Sequence, residues 1–323
     1  MKVFLSSLGM MGRRHLLGAL QAGAEVHAFD PSEKSIEAAK EAVQKATSIT
    51  GTVIYQTKQP QGGSFDVAIF SETADYRKAN FEQFVADNKA KRVLLEKPVT
   101  TGWADFEAVM QKASAQVGTE FFVNFPRRTW PFYTKLKEQI GKEELIELTL
   151  NGGAVGLGCN GIHYIDMFLY LTSHISAPVE VAYSKISSEL VGSGRGPRFK
   201  DYGGHFLLKK GPASFFMSMN PSSTATPIIT FKTPHGNMWI DENNYTFRQW
   251  NKTAGFEKPN YLYGQDYVVT DEGNVAYRDL ISLTKLWVQG EIQLPRLADV
   301  EMSHKALFDL LSVGGAQEPY LFT

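Results

Sequence analysis

The sequence predicts a two-domain α/β protein. A doubly wound parallel sheet is expected in residues 1–122, and an α+β domain built on a large, mostly antiparallel sheet in residues 123–323. The length of 323 residues is typical of two domains. Short apolar runs alternate with helical patterns up to about residue 120, which is typical of βαβ units. After about residue 124, β-rich runs separated by turn residues replace this alternation.

In the first domain, each predicted strand is a short apolar run, and each predicted helix has apolar residues at helical spacing. The predicted strands cover residues 3–5, 24–29, 52–55, 66–70, 92–95 and 119–123. The predicted helices cover residues 14–22, 32–46, 76–88 and 103–116. Gly23 is expected to end the first helix, because glycine is common just after a helix.

In the second domain, turn signals such as Pro234-His235-Gly236 separate the β-rich runs. The predicted strands cover residues 145–150, 179–187, 205–208, 213–219, 228–233 and 237–241. One helix, near residues 161–171, interrupts the strands, and two more, at about 277–288 and 299–311, close the chain. Without a long linker, the two domains are expected to pack closely.

Composition and charge exclude several classes of function. Hydrophobic residues make up 43% and charged residues 21% of the chain, so wholesale disorder is excluded. The 33 basic and 34 acidic residues give a net charge of −1, which makes nucleic acids and anionic membranes poor partners. No apolar stretch approaches the ~20 residues that span a bilayer.

The expected compartment is the cytoplasm. Cys159 is the only cysteine, so no intrachain disulfide can form and a reducing environment suits the chain. Arg13-Arg14 and the apolar run behind it are similar to a twin-arginine export signal. However, Glu25 and Asp30 follow that run too soon for a normal cleavage region.

The segment after the first strand predicts a dinucleotide site. Gly9 and Gly12 match the last two glycines of a G-x-G-x-x-G fingerprint, and Ser7 stands at the first position. Gly9 lets the backbone approach the pyrophosphate, and Gly12 lets the helix pack on the strand. Met10 and Met11 lie at the helix N-terminus, which attracts the anion. With serine in place of the first glycine, we expect strain of about 1 kcal/mol in the turn.

Asp30 strengthens this prediction. It ends the next strand, where an acidic residue accepts hydrogen bonds from the adenosine ribose. Its carboxylate would repel a 2′-phosphate, so NAD is favoured over NADP, although Lys34 nearby favours the reverse. The alternative is a plain strand–helix turn in which Asp30 caps the helix ahead of Pro31.

Several motifs, spread over nearly the whole chain, resemble the Gfo/Idh/MocA oxidoreductase family. They are the Gly9–Gly12 turn with Arg13-Arg14-His15, the tripeptide Glu96-Lys97-Pro98, the run Gly161-Ile162-His163-Tyr164-Ile165-Asp166, and the late Leu294-Pro295 and Ser303-His304. The resemblance implies a Rossmann domain followed by an open-faced antiparallel sheet, and a Lys-Pro peptide that is often cis. Because relatives bury the open sheet face by pairing, it also implies a homodimer or homotetramer.

The resemblance implies that Lys97 lies beside the nicotinamide and the substrate hydroxyl. A lysine there steadies negative charge on the reacting oxygen and exchanges a proton with it. Ser71 and Glu96 are expected at the same cofactor site. His163 is the second acid–base candidate, and Asp166, three residues later on the same helix face, is expected to orient it or to contact a substrate hydroxyl.

The alternatives for these residues are structural. A lone histidine among apolar residues of a helix more often packs in the core, and Lys97 can be an exposed lysine before a proline. No metal site is expected, because no cluster of His, Cys or Asp has ligand spacing.

The chain also departs from the family pattern. Many sugar dehydrogenases of the family have an aspartate where this chain has Cys159, and the neighbouring Asn160 can bind a substrate hydroxyl but cannot exchange protons. Arg77 replaces a histidine, and its guanidinium suits an anionic substrate. Arg127 and Arg128, near the expected cleft between the domains, either clamp an anion or form ion pairs within the protein.

These features together predict an NAD(P)-dependent oxidoreductase. It would move a hydride between the nicotinamide and a secondary alcohol or ketone carbon of a sugar, an amino sugar or a nucleotide sugar. The arginines make an anionic version of that substrate attractive. The alternatives are an NAD-dependent lyase or glycosidase that uses transient oxidation, and a dinucleotide-binding regulatory protein.

Overall fold

Six parallel strands in the order 3-2-1-4-5-6 form the first sheet. The computed structural model describes residues 1–141, 143, 145–193, 195–253 and 267–322, so parts of the predicted 123–323 domain lie outside the described ranges. The strands are β1 Lys2–Ser6, β2 Glu25–Phe29, β3 Thr52–Gln56, β4 Ser64–Phe70, β5 Lys89–Leu95 and β6 Glu120–Val123. This strand order confirms the predicted doubly wound Rossmann sheet.

Helices cover both faces of this sheet. They are α1 Met10–Gln21, α2 Glu33–Lys45, α3 Ala74–Asp87 and α4 Trp103–Ser114. In β1, Phe4 packs in one apolar cluster with residues of α3 and α4. Val3 and Leu5 point the other way and pack in a second cluster with residues of α1 and α2. Because both faces are buried, the central strands read as continuous apolar runs.

The second sheet has eight strands in the order 14-13-12-11-7-10-9-8. Its strands are β7 Glu147–Gly152, β8 Val179–Gly192, β9 Lys200–Lys210, β10 Ala213–Met219, β11 Ile228–Thr233, β12 Gly236–Asp241, β13 Thr246–Lys252 and β14 Tyr267–Asn274. Among the described strand pairs, only β7–β10 is parallel, so the sheet is mostly antiparallel, as predicted. In β10, buried and half-buried residues alternate, which indicates that one face packs against the core.

Three helices pack in the same core as this sheet: α5 Pro131–Ile140, α6 Ile162–Leu171 and α8 Glu301–Val313. A fourth helix, α7 Leu280–Gln289, returns to the first domain, where Leu283 and Trp287 pack in the cluster of α1 and α2. A side chain at Gly18 of α1 would collide with the Ile281 carbonyl oxygen and the Thr284 side chain of α7. Gly18 therefore sets how closely these two helices approach.

The second sheet contains more structure than the sequence predicts. The sequence gives no prediction for α5, β13 or β14, and β8 and β9 are longer than predicted. No residue of β13 or β14 is fully buried, so these strands lack the apolar alternation that marks a strand. Within the described ranges, no helix has the length and hydrophobicity needed to cross a membrane.

Candidate active site

The loop between β1 and α1 has the shape that a dinucleotide fingerprint requires. Ser7, at the first glycine position, has φ +73°, so the turn does adopt the left-handed conformation that favours glycine. Its N–H donates to the Phe29 carbonyl at 2.7 Å, and its own carbonyl accepts from Ser71 Oγ at 3.1 Å. A side chain at Gly12 would collide with that same carbonyl, so only glycine fits there.

The N-terminus of α1 is open for an anion. No side chain caps it, and the first N–H groups of a helix have no acceptor within the helix. A Cβ at Gly9 would meet only Ser7 Oγ, at 3.8 Å, and Met10 is 55% exposed at the same edge. The space and the free N–H groups fit the pyrophosphate of a dinucleotide.

Asp30 holds this loop from the end of β2. Its carboxylate accepts the N–H of Leu8 at 2.8 Å through Oδ2 and that of Ser32 at 2.9 Å through Oδ1. Ser32, and not Asp30, caps α2, because its hydroxyl accepts the Ser35 N–H. Each carboxylate oxygen can accept a second bond, so the position remains compatible with ribose hydroxyls.

A buried hydrogen-bonded cluster lies below the site. Glu96 is 4% exposed and receives His15 Nε2 at 2.9 Å and Asn124 Nδ2 at 2.6 Å on Oε1. On the other side of the ring, His15 Nδ1 lies 2.8 Å from the Thr284 hydroxyl, whose oxygen is also within hydrogen-bond distance of the Leu280 carbonyl. Both ring nitrogens of His15 thus have a partner, which fixes the ring between Glu96 and α7.

The charge of Glu96 follows from these contacts. Burial raises the pKa of its carboxyl, but the His15 pair, Lys97 and the Asn124 bond outweigh burial and lower the pKa to about 2. Its oxygens are thus occupied by His15, Asn124 and the Lys97 N–H, the last at 3.2 Å. Glu96 therefore supports the cofactor site from beneath.

Lys97 follows Glu96 at the carboxyl end of β5, and its bond to Pro98 is cis. Its Nζ donates to the carbonyl of Cys159, in the short π-helical turn Leu157–Gly161 that leads into α6. Burial lowers the pKa of its ammonium, and Cys159 and Glu96 only partly offset that effect. Within the described part of the chain, the ammonium makes this one hydrogen bond, and its other two N–H groups can bind a ligand.

Asp201, in β9, is a site residue that the sequence analysis missed. It is 4% exposed, and its carboxylate accepts the N–H groups of Gly158 and Cys159 at 2.8 and 2.7 Å. Burial raises its pKa to about 6, although three backbone hydrogen bonds and Lys97 act in the opposite direction. The predicted strand started only at residue 205, so no sequence signal placed this carboxylate near the turn.

His163, in the first turn of α6, is a neutral imidazole. Burial, and then the positive charges of Lys97 and Arg127, hold its pKa well below the usual value. Its ring meets that of Phe125 edge-on, with centroids 5.7 Å apart. Nδ1 is buried and has no hydrogen-bond partner among the described residues.

Asp166 does not contact His163, contrary to the expectation from helical spacing. Its carboxylate forms a two-point ion pair with Arg128, at 2.9 and 2.7 Å, and accepts the Ser303 hydroxyl at 2.8 Å. Asp166 is 1% exposed. These contacts attach α6 to the start of α8, and they account for both Asp166 and Arg128 without a ligand.

Arg77 is also occupied within the protein. It is 2% exposed, and its guanidinium donates to the carbonyls of Pro98, Val99 and Glu72. The expectation that it binds an anionic substrate is therefore not supported. A buried stretch of carbonyls next to the Lys97-Pro98 peptide needs donors, and Arg77 supplies them.

Arg127 pairs with a carboxylate 115 residues away. Nε and Nη2 donate to Glu242, at 2.9 and 2.5 Å, and the guanidinium lies 4.5 Å from the Tyr164 ring centroid. Glu242 also accepts the hydroxyls of Tyr133 and Tyr164. Of the two roles predicted for Arg127 and Arg128, ion pairing within the protein is the one observed.

Two cavities meet at Asn160. One, of about 530 Å³, is lined among others by Met10, Cys159, Asn160, Arg195 and Asp201. The other, of about 490 Å³, also includes Asn160, together with Arg127, Trp130, Tyr164, Glu242, Tyr245 and Tyr277. The first cavity reaches the start of α1 at Met10, and the two cavities also share Ala154 and Val155. No group of three or more His, Cys, Asp or Glu side chains with metal-binding geometry occurs among the described residues.

Comparisons with known proteins support the same fold. No protein-family model matches the sequence, and no curated protein sequence matches it either. Solved structures do match. A super-repressor mutant of Gal80p from Saccharomyces cerevisiae has a TM-score of 0.70 at 12% identity, with 97% of this chain and 95% of that chain covered.

Two enzymes have similar structures. UDP-N-acetylglucosamine 3-dehydrogenase from Acidithiobacillus ferrooxidans has a TM-score of 0.67 at 16% identity, with 99% and 98% of the two chains covered. An oxidoreductase from Agrobacterium radiobacter, in complex with NAD+, L-tartaric acid and magnesium, has a TM-score of 0.65 at 11% identity, with 97% and 96% covered. These matches show that the chain shares its two-domain fold with these two enzymes and with Gal80p.

Proposed function

We propose that the protein is an NAD(P)-dependent oxidoreductase acting on a secondary alcohol or ketone carbon of a sugar, an amino sugar or a nucleotide sugar. The observation that carries this proposal is the position of Lys97. Its ammonium bonds to the Cys159 carbonyl, and Cys159 lines the 530 Å³ cavity that reaches Met10 at the start of α1. When bound, the nicotinamide would supply or accept the hydride.

Lys97 is the residue that we assign to the reacting oxygen. Two N–H groups of its ammonium remain for a ligand, and they can stabilise negative charge as it develops on that oxygen. Because burial lowers its pKa, the ammonium releases a proton more readily than an exposed lysine. Lys97 can thus both hold the oxygen and exchange a proton with it.

We assign His163 to the same oxygen. A neutral imidazole has one N–H donor and one acceptor, so it can bind either an alcohol or a ketone. We no longer assign Asp166 a part in the proton exchange, because its oxygens are occupied by Arg128 and Ser303.

NAD is the cofactor we favour. Asp30 stands at the end of β2, where it would meet the adenosine ribose, and its negative charge would repel the extra phosphate of NADP. The open N-terminus of α1 offers its N–H groups to the pyrophosphate.

The lining of the 490 Å³ cavity suits a neutral sugar ring. Trp130, Tyr245 and Tyr277 offer aromatic faces, and Asn160 and Asn243 offer amides. Arg77, Arg127 and Arg128 have partners within the protein. These arginines therefore give no support for an anionic substrate.

A regulatory protein is the second candidate, because the Gal80p structure shares the fold along nearly the whole chain. Both candidates can bind a dinucleotide, so binding alone does not distinguish them. Turnover does.

The first experiment is a calorimetric titration of cofactor-stripped protein with NADH and with NADPH, repeated on Asp30→Ala. We expect NADH to bind more tightly than NADPH, and the preference to weaken in the variant. The protein loaded with NAD+ is then screened against sugars and nucleotide sugars for NADH absorbance. If neither dinucleotide binds, the proposal is wrong. Binding without turnover on any substrate favours the regulatory candidate.

A further inference from the structure

The turn that receives the Lys97 ammonium is held from the second sheet. Asp201 Oδ1 accepts the N–H groups of Gly158 and Tyr202, at 2.8 and 2.7 Å, and Oδ2 accepts that of Cys159 at 2.7 Å. One buried carboxylate thus binds two consecutive residues of the π-helical turn and its own strand. It fixes the turn relative to β9.

Cys159 joins this carboxylate to Lys97. Its N–H donates to Asp201, and its carbonyl accepts the Lys97 Nζ. A shift of the turn at Cys159 therefore moves the acceptor of the lysine. Asp201 reaches Lys97 through a single residue.

The turn also has an uncommon backbone shape. A π-helical turn is rare, and this one follows Gly156, which has φ +76°. The N–H groups of Asn160 and Gly161 both donate to the Gly156 carbonyl, at 3.1 and 2.8 Å. A side chain at Gly156 would collide with the Asp201 carboxylate, so the glycine and the aspartate fit together.

Of the two carboxylates that interact electrostatically with Lys97, Asp201 is the one that belongs to the second domain. The charged or titratable groups that influence Lys97, or that Lys97 influences, are Glu96, Cys159, Arg195, Arg127, His163 and Asp201. Two of them are carboxylates. Glu96 is occupied by His15 and Asn124 beneath the site. Asp201 lines the cavity itself.

We propose that Asp201 is a positioning residue for Lys97, holding the turn at Cys159 so that the Cys159 carbonyl fixes the ammonium beside the cavity that Cys159 and Asp201 line. This inference rests on the proposed function, in which Lys97 binds the reacting oxygen. It also bears on Cys159, which stands where many sugar dehydrogenases of the resembling family have an aspartate. In this chain a carboxylate reaches the same part of the site from β9, through Asp201.

The test measures the pKa of Lys97 without using turnover. Full-length protein is labelled with trace acetic anhydride at a series of pH values, and acetylation of Lys97 is quantified by mass spectrometry. In Asp201→Asn, a negative charge is lost, and the amide N–H of the new side chain faces backbone N–H groups. We expect the pKa of Lys97 to fall, so that its free-amine fraction, and with it the acetylation of Lys97, rises at neutral pH.

The matched control is Asp241→Asn. Asp241 is a buried aspartate of the same sheet that accepts the N–H groups of Asn243 and Asn244 at a turn, away from Lys97. The Asp241→Asn variant should leave the acetylation of Lys97 unchanged. Asp201→Glu retains the charge and should fall between wild type and Asp201→Asn, and it is the variant to use if Asp201→Asn does not fold.

Thermal melting of each variant separates positioning from stability. If Asp201→Asn melts earlier but Lys97 titrates as in wild type, Asp201 only stabilises the fold and the inference is wrong. An equal shift in Asp241→Asn also overturns it. Failure of the proposed function shows up differently, as absence of dinucleotide binding or turnover while the labelling result stands.

Discussion

A lysine that donates one N–H to a backbone carbonyl is held in place, but its ammonium can still donate hydrogen bonds to a ligand and exchange a proton. Lys97 is in this state, with its ammonium directed to Cys159 and two donors left. An exposed lysine of the same strand, Lys91, instead pairs with Asp66 at 2.7 Å. The two lysines lie six residues apart on β5 and the loop that follows it, which makes them a matched pair for mutation.

We expect Lys97→Met to lower kcat by a factor of about 100–10,000, the usual effect of losing a general acid–base group. NADH affinity should change little, because the pyrophosphate and ribose contacts lie elsewhere. Lys91→Met serves as the control and should retain wild-type kcat. Steady-state kinetics and NADH titration measure both quantities, and near-normal turnover of Lys97→Met would remove this lysine from the mechanism.

Ser7 allows a second prediction at this scale. A serine at φ +73° is strained where glycine is not, so Ser7→Gly should raise the free energy of unfolding by about 1 kcal/mol. Ser48, at φ +62° in another loop, gives the control: Ser48→Gly should stabilise by a similar amount. Urea unfolding measures both. Only Ser7→Gly completes the glycine fingerprint, so only this variant should alter NADH affinity. An equal change of NADH affinity in Ser48→Gly would contradict the prediction.

At the scale of elements, the close packing of α1 on α7 leaves no space for a side chain at Gly18. Gly18 lies against the Ile281 carbonyl and Thr284, and Thr284 in turn binds His15. The glycine is unfavourable for the helix by roughly 1 kcal/mol relative to alanine. Close packing outweighs that propensity.

Gly18→Ala should therefore destabilise the protein, although it favours the helix. Overpacking typically costs about 1–3 kcal/mol, and the helix propensity of alanine offsets roughly 1 kcal/mol of that cost, so we expect a net loss of about 1 kcal/mol in the free energy of unfolding. Arg14→Ala, at an exposed position of the same helix, controls for propensity and should be nearly neutral. Urea denaturation measures the free energy of unfolding of both variants. If Gly18→Ala is more stable than wild type, α7 can move away from α1 and the prediction is wrong.

The sequence predicts elements whose contacts are local and misses pairs that are distant. The loop from Ser7 to Gly12 and the lysine at the end of β5 lie in continuous motifs, and the structure has both at the expected strand ends. Arg127 and Arg128 were open to two roles because Glu242 and Asp166 lie 115 and 38 residues away. Asp201 gave no signal, since its three partners are backbone N–H groups whose position depends on the fold of β9.

At the scale of the whole molecule, stability depends on buried carboxyls that resist ionisation. Glu72 is 6% exposed, and neither of its carboxyl oxygens has a hydrogen-bond partner among the described residues. Burial raises its pKa to about 7, although Arg77 acts in the opposite direction. In the unfolded chain the same group ionises near pH 4.5.

A raised pKa in the folded state means that stability falls as pH rises. Below about pH 4.5 the contribution of Glu72 is fully present, and it is lost as pH increases through about 7. The loss amounts to about 3 kcal/mol on the scale of 1.36 kcal/mol per pKa unit. Glu72→Gln should remove this pH dependence, so its stability relative to wild type should increase from pH 5 to pH 8.

Urea unfolding of wild type and Glu72→Gln across this pH range measures the difference curve. Glu107→Gln, at an exposed position of α4, is the control and should give a flat difference. A flat curve for Glu72→Gln as well would show that Glu72 is ionised in the folded protein.

The return of α7 to the first domain affects how the chain folds as it leaves the ribosome. The first sheet is complete at Val123, but Leu283 and Trp287 of α7 fill the same apolar cluster as α1 and α2. A nascent chain with only its first half synthesised must keep that apolar surface uncovered until about residue 289 has emerged. Packing of the first domain is therefore completed only after α7 has been synthesised, and chaperones that bind exposed apolar segments are expected to act on the chain before that point.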